Sequence, residues 1–208
     1  MASLGKKSII AIIYNFLFAI ASAAVGAIVL SWPLLALSIK FEQTDAVVKL
    51  PLGTIMKNYN QLMFYLLWPF KRILKMTNFP TSVKAAQHFY ECKLLFSLAL
   101  IAFIMGIIIF LFLYRRKKLS YLHLKSIEIV IFMLLPLVLL PLAMTNFDQF
   151  FIVFHHLLFN NNNWLFDPNT DPIINVLTEN FFASCFVAAA IIYELYFAIL
   201  FWQNKKEL

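Results

Sequence analysis

Apolar positions fall into four long blocks, Ser8–Ile39, Leu94–Leu113, Ile127–Met144 and Ala183–Trp202. A helix needs about 20 such residues to cross a hydrocarbon layer ~30 Å thick, so each block predicts one membrane span. The pattern therefore predicts an all-α, polytopic membrane protein, residues 1–208 forming a single integral membrane domain with four transmembrane helices. The first block is longer than a span requires, which predicts tilting or a bend near Pro33. Pro136 and Pro141 predict a kink in the third, because proline leaves backbone carbonyls unpaired. Lys6 and Lys7 precede an apolar run about twice the length of a signal-peptide core, so that run reads as an uncleaved span.

The two longer connections, residues 40–93 and 145–182, mix polar with apolar positions and predict short interfacial or re-entrant helices. Within Leu62–Lys75, Leu62, Leu66, Phe70, Ile73 and Leu74 recur at helical spacing beside Lys71, Arg72 and Lys75. That spacing fits a helix lying on the membrane with its cations near anionic headgroups, or equally a helix packed on the spans. A second helix is expected over Phe147–Phe159. Asp171 followed by Pro172 predicts an N-cap and first turn of a short helix through Leu177.

Composition narrows the class. The chain is 62% hydrophobic and 13% charged, with mean hydropathy +0.82, values outside the soluble globular range. A net charge of +7 would suit nucleic acid, but the basic residues mark topology instead. Lys6 and Lys7 precede the first span; Arg115, Arg116, Lys117, Lys118 and Lys125 fill the short second connection; Lys205 and Lys206 close the chain. The connection 145–182 has no Lys or Arg. The positive-inside rule therefore places both termini in the cytoplasm and the two long connections outside. Residues 40–93 carry eight basic residues against that trend, which long translocated segments tolerate. Cys92 and Cys185 match no metal or redox spacing and read as packing residues.

Three of the four histidines, His88, His155 and His156, fall on the outer side, and His123 falls in the basic cytoplasmic loop. Imidazole titrates near neutrality (~6.5) and can take and return a proton there. On a helix, His155 and His156 point about 100° apart, so only one can face a shared site. Asp148 precedes His155 on the same face, and Glu91 and Lys84 lie within a turn of His88; these are orienting partners or ordinary surface links. In WLFDPNTDP, proline keeps Asp167 and Asp171 at turns, while Trp164 and Phe166 suit the headgroup level. Adjacent histidines converge poorly on a metal, no G-x-S-x-G elbow is present, and Glu194 is the ionisable residue of the last span. Read alone, these residues fit proton transfer on a lipid-anchored substrate. They fit better still a non-catalytic accessory subunit or envelope sensor whose outer loop binds lipid or a partner.

The stretch FDQFFIVFHHLLFNNNNWLFDPNTDPIINVLTENFF, with NYNQLMFYL at residues 58–66 and HFYECK at residues 88–93, resembles the lipoprotein intramolecular transacylase family of small four-pass bacterial membrane proteins. Cys92, where the family usually has an aliphatic residue, and Thr178, where it often has proline, depart from its pattern. The resemblance implies an acyltransferase that moves the sn-2 ester acyl chain of a diacylglyceryl-cysteine to its own α-amino group, without cofactor or metal. Its partners would be a diacylated lipoprotein and membrane lipid. His88 and His155 would share the acid/base work, the role of each left open, with Tyr59, Glu91, Asn163, Trp164, Phe166, Asp167 and Asp171 binding substrate or shaping the loop. The first and last helices would hold the acyl chains.

Overall fold

A computed structural model describes residues 2–206, with side chains described for residues 9–205; the side chains of Lys6, Lys7 and Lys206 lie outside that range. In chain order the α-helices are α1 (Ala2–Glu42), α2 (Thr44–Val48), α3 (Leu52–Leu67), α4 (Val83–Arg115), α5 (Ser126–Thr145), α6 (Phe147–Leu158) and α7 (Glu179–Lys206). Four of them are long and apolar enough to cross a membrane: 9–42, 83–115, 126–145 and 179–205. The chain is a multi-pass membrane protein, and each helix extends past the apolar block that predicted it. Pro33 lies inside α1, and Pro136 and Pro141 inside α5, without ending either helix.

Two compact units are formed, one by residues 1–27, 99–142 and 187–208, the other by 28–98 and 143–186. In the first unit many large apolar side chains of α4 and α5 are exposed, among them Ile101, Ile108, Leu134 and Leu137, as suits helices that meet lipid. Lipid is as apolar as leucine, so helix association there depends on close packing and on polar contacts. Gly106 and Gly26 supply the close packing: a Cβ would come within 2.1 Å of the Phe18 ring at Gly106 and 2.3 Å of Ile192 at Gly26. Buried Asn15 supplies the polar contact, donating to the carbonyls of Ala11 (2.7 Å) and Leu122 (2.9 Å) and accepting from Tyr196 Oη (2.6 Å).

The second unit holds the larger core, centred on Leu35, Ile39, Ile55, Leu62, Phe89, Ile173 and Val176. Every polar residue of Asn58–Gln61 has a structural task. Asn58, fully buried, exchanges two hydrogen bonds with Asn78, and Gln61 exchanges two with Thr77, so the side chains of α3 hold the bend at Thr77 and Asn78 through both its backbone N–H groups and its side chains. Tyr59 donates to Ser31 Oγ (2.6 Å), and Asn60 accepts from Trp32 Nε1 (2.7 Å). At the end of α1, Glu42 accepts from Ser38, Thr178 and Asn180, which ties α1 to the start of α7.

One expected helix is not formed as such. The spacing over Leu62–Lys75 continues past the point where the backbone can follow it: α3 ends at Leu67, and Trp68 is extended at φ −96°, ψ 109°. Pro69 is the reason, because its ring excludes the helical region for the residue before it. Lys71, Arg72 and Lys75 therefore lie on an irregular segment with Phe70 and Ile73 exposed. Lys93 fastens that segment by donating to the Lys71 carbonyl while its ammonium lies 4.6 Å from the centre of the Tyr65 ring.

Candidate active site

The site lies within the second unit and is built from the first turns of α4, the last turns of α6 and the loop after α6. The start of α4 is fixed by Ser82, whose Oγ accepts from Ala85 N–H (3.1 Å) and whose carbonyl accepts from Ala86 N–H (2.9 Å). Ser82 N–H in turn donates to Asp171 Oδ1 at 2.6 Å, and Thr170 Oγ1 donates to Asp171 Oδ2 at 2.8 Å. Asp171 is buried and occupies the N-cap position of a short 3₁₀ turn, Pro172–Asn175, yet its side chain does not cap that turn. The local role expected of it is overridden by a tertiary one, a clamp on the helix that carries His88 and Glu91.

His88 is 7% exposed. Its Nε2 lies 3.4 Å from Cys92 Sγ one turn along α4, so Cys92 is a partner of the imidazole and not only a packing residue. His88 Nδ1 is enclosed and makes no hydrogen bond among the described residues.

α6 begins at Asn146, whose Oδ1 accepts from Gln149 N–H (3.1 Å), a standard N-cap bond. Phe147, Phe151 and His155 recur every four residues and turn inward, while Ile152, Val153 and His156 face out. His155 is 7% exposed and His156 is exposed, the divergence expected of neighbouring helical positions. His155 Nδ1 lies 2.7 Å from the Phe151 carbonyl. A carbonyl only accepts, so Nδ1 carries the proton and Nε2 keeps its lone pair. Burial holds this imidazole below its ordinary range, with the Phe151 hydrogen bond acting the other way and nearby His156 adding to the depression. Asp148 does not orient His155: the backbone does, and the Asp148 carboxyl shares a hydrogen bond with Glu179.

The rings of His88 and His155 lie 5.6 Å apart, centre to centre, at 40°. Phe159 touches both, edge-on to His88 at 4.7 Å and 5.7 Å from His155. Trp164 lies 4.7 Å and Phe151 4.0 Å from His155, and Phe166 stands edge-on 5.7 Å from His88. The positions expected at the lipid headgroups are thus occupied differently. Trp164 is buried, with its indole N–H donating to the Asn161 carbonyl (3.0 Å), and Phe166 packs between His88 and Phe89; both are walls of the histidine pair. Stacking on an imidazole buries more of each ring than an interface position would.

A chain of polar contacts closes around the pair. Glu91 Oε1 accepts from Asn161 Nδ2 (3.0 Å) and Gln87 Nε2 (3.2 Å), and Asn161 also holds the Asn163 N–H (2.9 Å) and the Trp164 indole. Glu91 Oε2 is enclosed with no hydrogen-bond partner among the described residues. Of the other expected residues, Asp167 shapes the turn by accepting from Asn169 and Thr170. Asn163 contributes its backbone N–H, and Tyr59 sits in the core against Trp32 and Phe181. Lys84 and His123 are exposed. Phe151, Phe159, Asn161 and Ser82 were not legible as site residues. Phe151 and Phe159 sit four residues either side of His155, the one signal that could have marked them. Among the described residues no three His, Cys, Asp or Glu side chains converge to hold a metal ion.

Residues 9–182 match the family model of the lipoprotein intramolecular transacylase Lit. In structure the chain is similar to the membrane integral lipoprotein intramolecular transacylase Lit from Bacillus cereus, solved in meso. The TM-score is 0.79 at 24% identity, over 97% of this chain and 95% of that one. Two more structures of the B. cereus protein, with one histidine changed to arginine or alanine, give TM-scores of 0.73 and 0.69 at 22% and 21% identity. Each covers 99% of this chain, and they are matched over 95% and 96% of their own length. No curated protein sequence matches the chain. These likenesses speak to the fold, and the family match covers both long connections and three of the four spans; the chain belongs to the lipoprotein intramolecular transacylase family of acyltransferases.

Proposed function

We propose that this chain moves the sn-2 ester acyl group of a diacylglyceryl-cysteine lipoprotein to the α-amino group of the same cysteine, using His155 and His88. The observation that carries the reading is the pair of buried rings, 5.6 Å apart, with one tautomer set by the backbone. The substrate nitrogen forms a bond to the ester carbonyl carbon, and His155 Nε2 takes the proton that the nitrogen sheds. His88, with Cys92 at its Nε2, presents Nδ1–H to the carbonyl oxygen as negative charge gathers there. The carbon–oxygen bond then breaks, and His155 returns the proton to the glycerol oxygen. An ester and an amine become an amide and a free hydroxyl, with atoms balanced and no acyl-enzyme. Donor and acceptor share one molecule, so folding it into the aromatic box supplies a high effective concentration. The positive-inside pattern of the short loop puts this chemistry on the extracytoplasmic side, with both termini cytoplasmic.

Expression in cells whose lipoproteins are diacylated with free amines, followed by tandem mass spectrometry of the N-terminal lipopeptide, tests the reading. Total mass stays constant while one acyl fragment moves onto nitrogen. An unaltered fragment pattern, with the protein present in the membrane, overturns it.

The depressed basicity of His155 sets the acid limb of the rate. Below its folded value the base is protonated and idle; above it the base is neutral. Burial lowers that value, so the fall in rate on acidification has its midpoint below the ~6.5 of free imidazole. The same sign holds for stability: the neutral-histidine contribution is present above ~6.5 and is lost as pH falls through the depressed value. Initial rates of N-acyl product between pH 5 and 8, divided by the fraction of substrate whose α-amino group (~7.7–8.0) is neutral, measure the limb, and a midpoint above 6.5 after that division contradicts the assignment.

A further inference from the structure

The site holds two enclosed polar atoms without hydrogen-bond partners among the described residues, Glu91 Oε2 and His88 Nδ1, three residues apart on one face of α4. A desolvated carboxylate oxygen without a donor is costly, and side chains seldom leave one so unless a ligand completes it. Asn161 and Gln87 both donate to Oε1, which holds the carboxyl in place and leaves Oε2 without a donor among the described residues. What remains is an oriented, enclosed acceptor next to the histidine pair. Its chemistry calls for a cationic donor, and it is opposite to that of the N–H that His88 presents.

We infer that Glu91 is the binding residue for the α-ammonium of the substrate cysteine, a role that rests on the transacylase reading. The ammonium donates to Oε2, which selects substrates with an unmodified N-terminus and brings the nitrogen to the histidines; one proton is then released to solvent to free the amine, and the second, shed as the nitrogen attacks, is the one His155 takes and returns to the glycerol oxygen. The product amide has no positive charge, so the same contact favours its departure. Asn161, which joins Glu91 to Trp164, positions the carboxyl and does not itself touch the ammonium.

The probe is a synthetic diacylglyceryl-cysteine lipopeptide compared with its deamino analogue, in which hydrogen replaces the ammonium. Their affinities are measured on the full-length protein in bicelles before turnover. The wild type is expected to prefer the free-amine form by roughly tenfold or more, the scale of a hydrogen bond to a charged group. Glu91→Gln, which can still accept from Asn161 through its amide oxygen, is expected to bring the two affinities within about twofold. Preference retained in Glu91→Gln overturns the inference, and so does a wild type without preference, whatever the variant's folding. A wild type that prefers the amine yet forms no N-acyl product supports the binding role and overturns the transacylase reading. Product formation without amine preference does the reverse.

Discussion

Alanine at His155 is expected to lower the rate of N-acyl product by roughly 10²–10⁴-fold, the usual contribution of a positioned acid/base group. Alanine at His88 is expected to lower it by roughly 10²–10³-fold, the usual contribution of one oxyanion donor. In the proposed mechanism the two residues act on one transition state, so the double variant should lose far less than the product of the single losses. Both rings are buried among aromatics, and removing either opens a void beside Phe159. Rates are therefore compared with unfolding temperatures in the same detergent. His155→Gln, which keeps much of the volume but cannot serve as a base, should be as inactive as His155→Ala while unfolding closer to wild type. His123→Ala, exposed in the loop after α4, should keep full activity. Product formation by His155→Ala within tenfold of wild type would remove the histidine from the mechanism.

The second large effect is on stability. Asp171→Ala leaves Ser82 N–H and Thr170 Oγ1 without the carboxyl they donate to, at a position 3% exposed. Hydrogen bonds to charged groups contribute ~1.5–3 kcal/mol each, and an orphaned buried donor costs ~1–3 kcal/mol. The loss should be about 3 kcal/mol, a fall in Tm of roughly 5–10 °C for a chain of this size. Because Ser82 caps α4, which carries His88 and Glu91, activity should fall too at temperatures where the fold survives. Asp171→Asn keeps an acceptor oxygen for Ser82 and should recover part of the Tm. An unchanged Tm in Asp171→Ala, by thermal unfolding in detergent, would show that the clamp carries no weight.

The spans were legible because membrane length and helical rise leave few alternatives for a 20-residue apolar run. Apolar spacing runs on past Leu67 while α3 stops there, because periodicity describes side chains and Pro69 acts on the backbone of its neighbour. In the connection 145–182 the sequence marks the polar residues and, among the aromatics, Trp164 and Phe166, but not Phe151 or Phe159. In a chain with 23 phenylalanines, Phe151 and Phe159 carry no local mark that separates a wall of the site from a lipid-facing ring.

By itself the order of residues determined that this chain is a membrane protein with four apolar spans, and it singled out the histidines of the two long connections as the groups able to move a proton near neutrality. Those conclusions depend on hydrophobic length and on the intrinsic basicity of imidazole, properties that each segment holds alone. Only the tertiary structure decided that His88 meets His155 and not His156, that Asp171 serves the distant Ser82 and not its own turn, and that one oxygen of Glu91 is left enclosed. The reason is physical: a hydrogen bond or a ring contact depends on distance in space, and residues 67 or 89 positions apart are brought within reach only when the chain has packed.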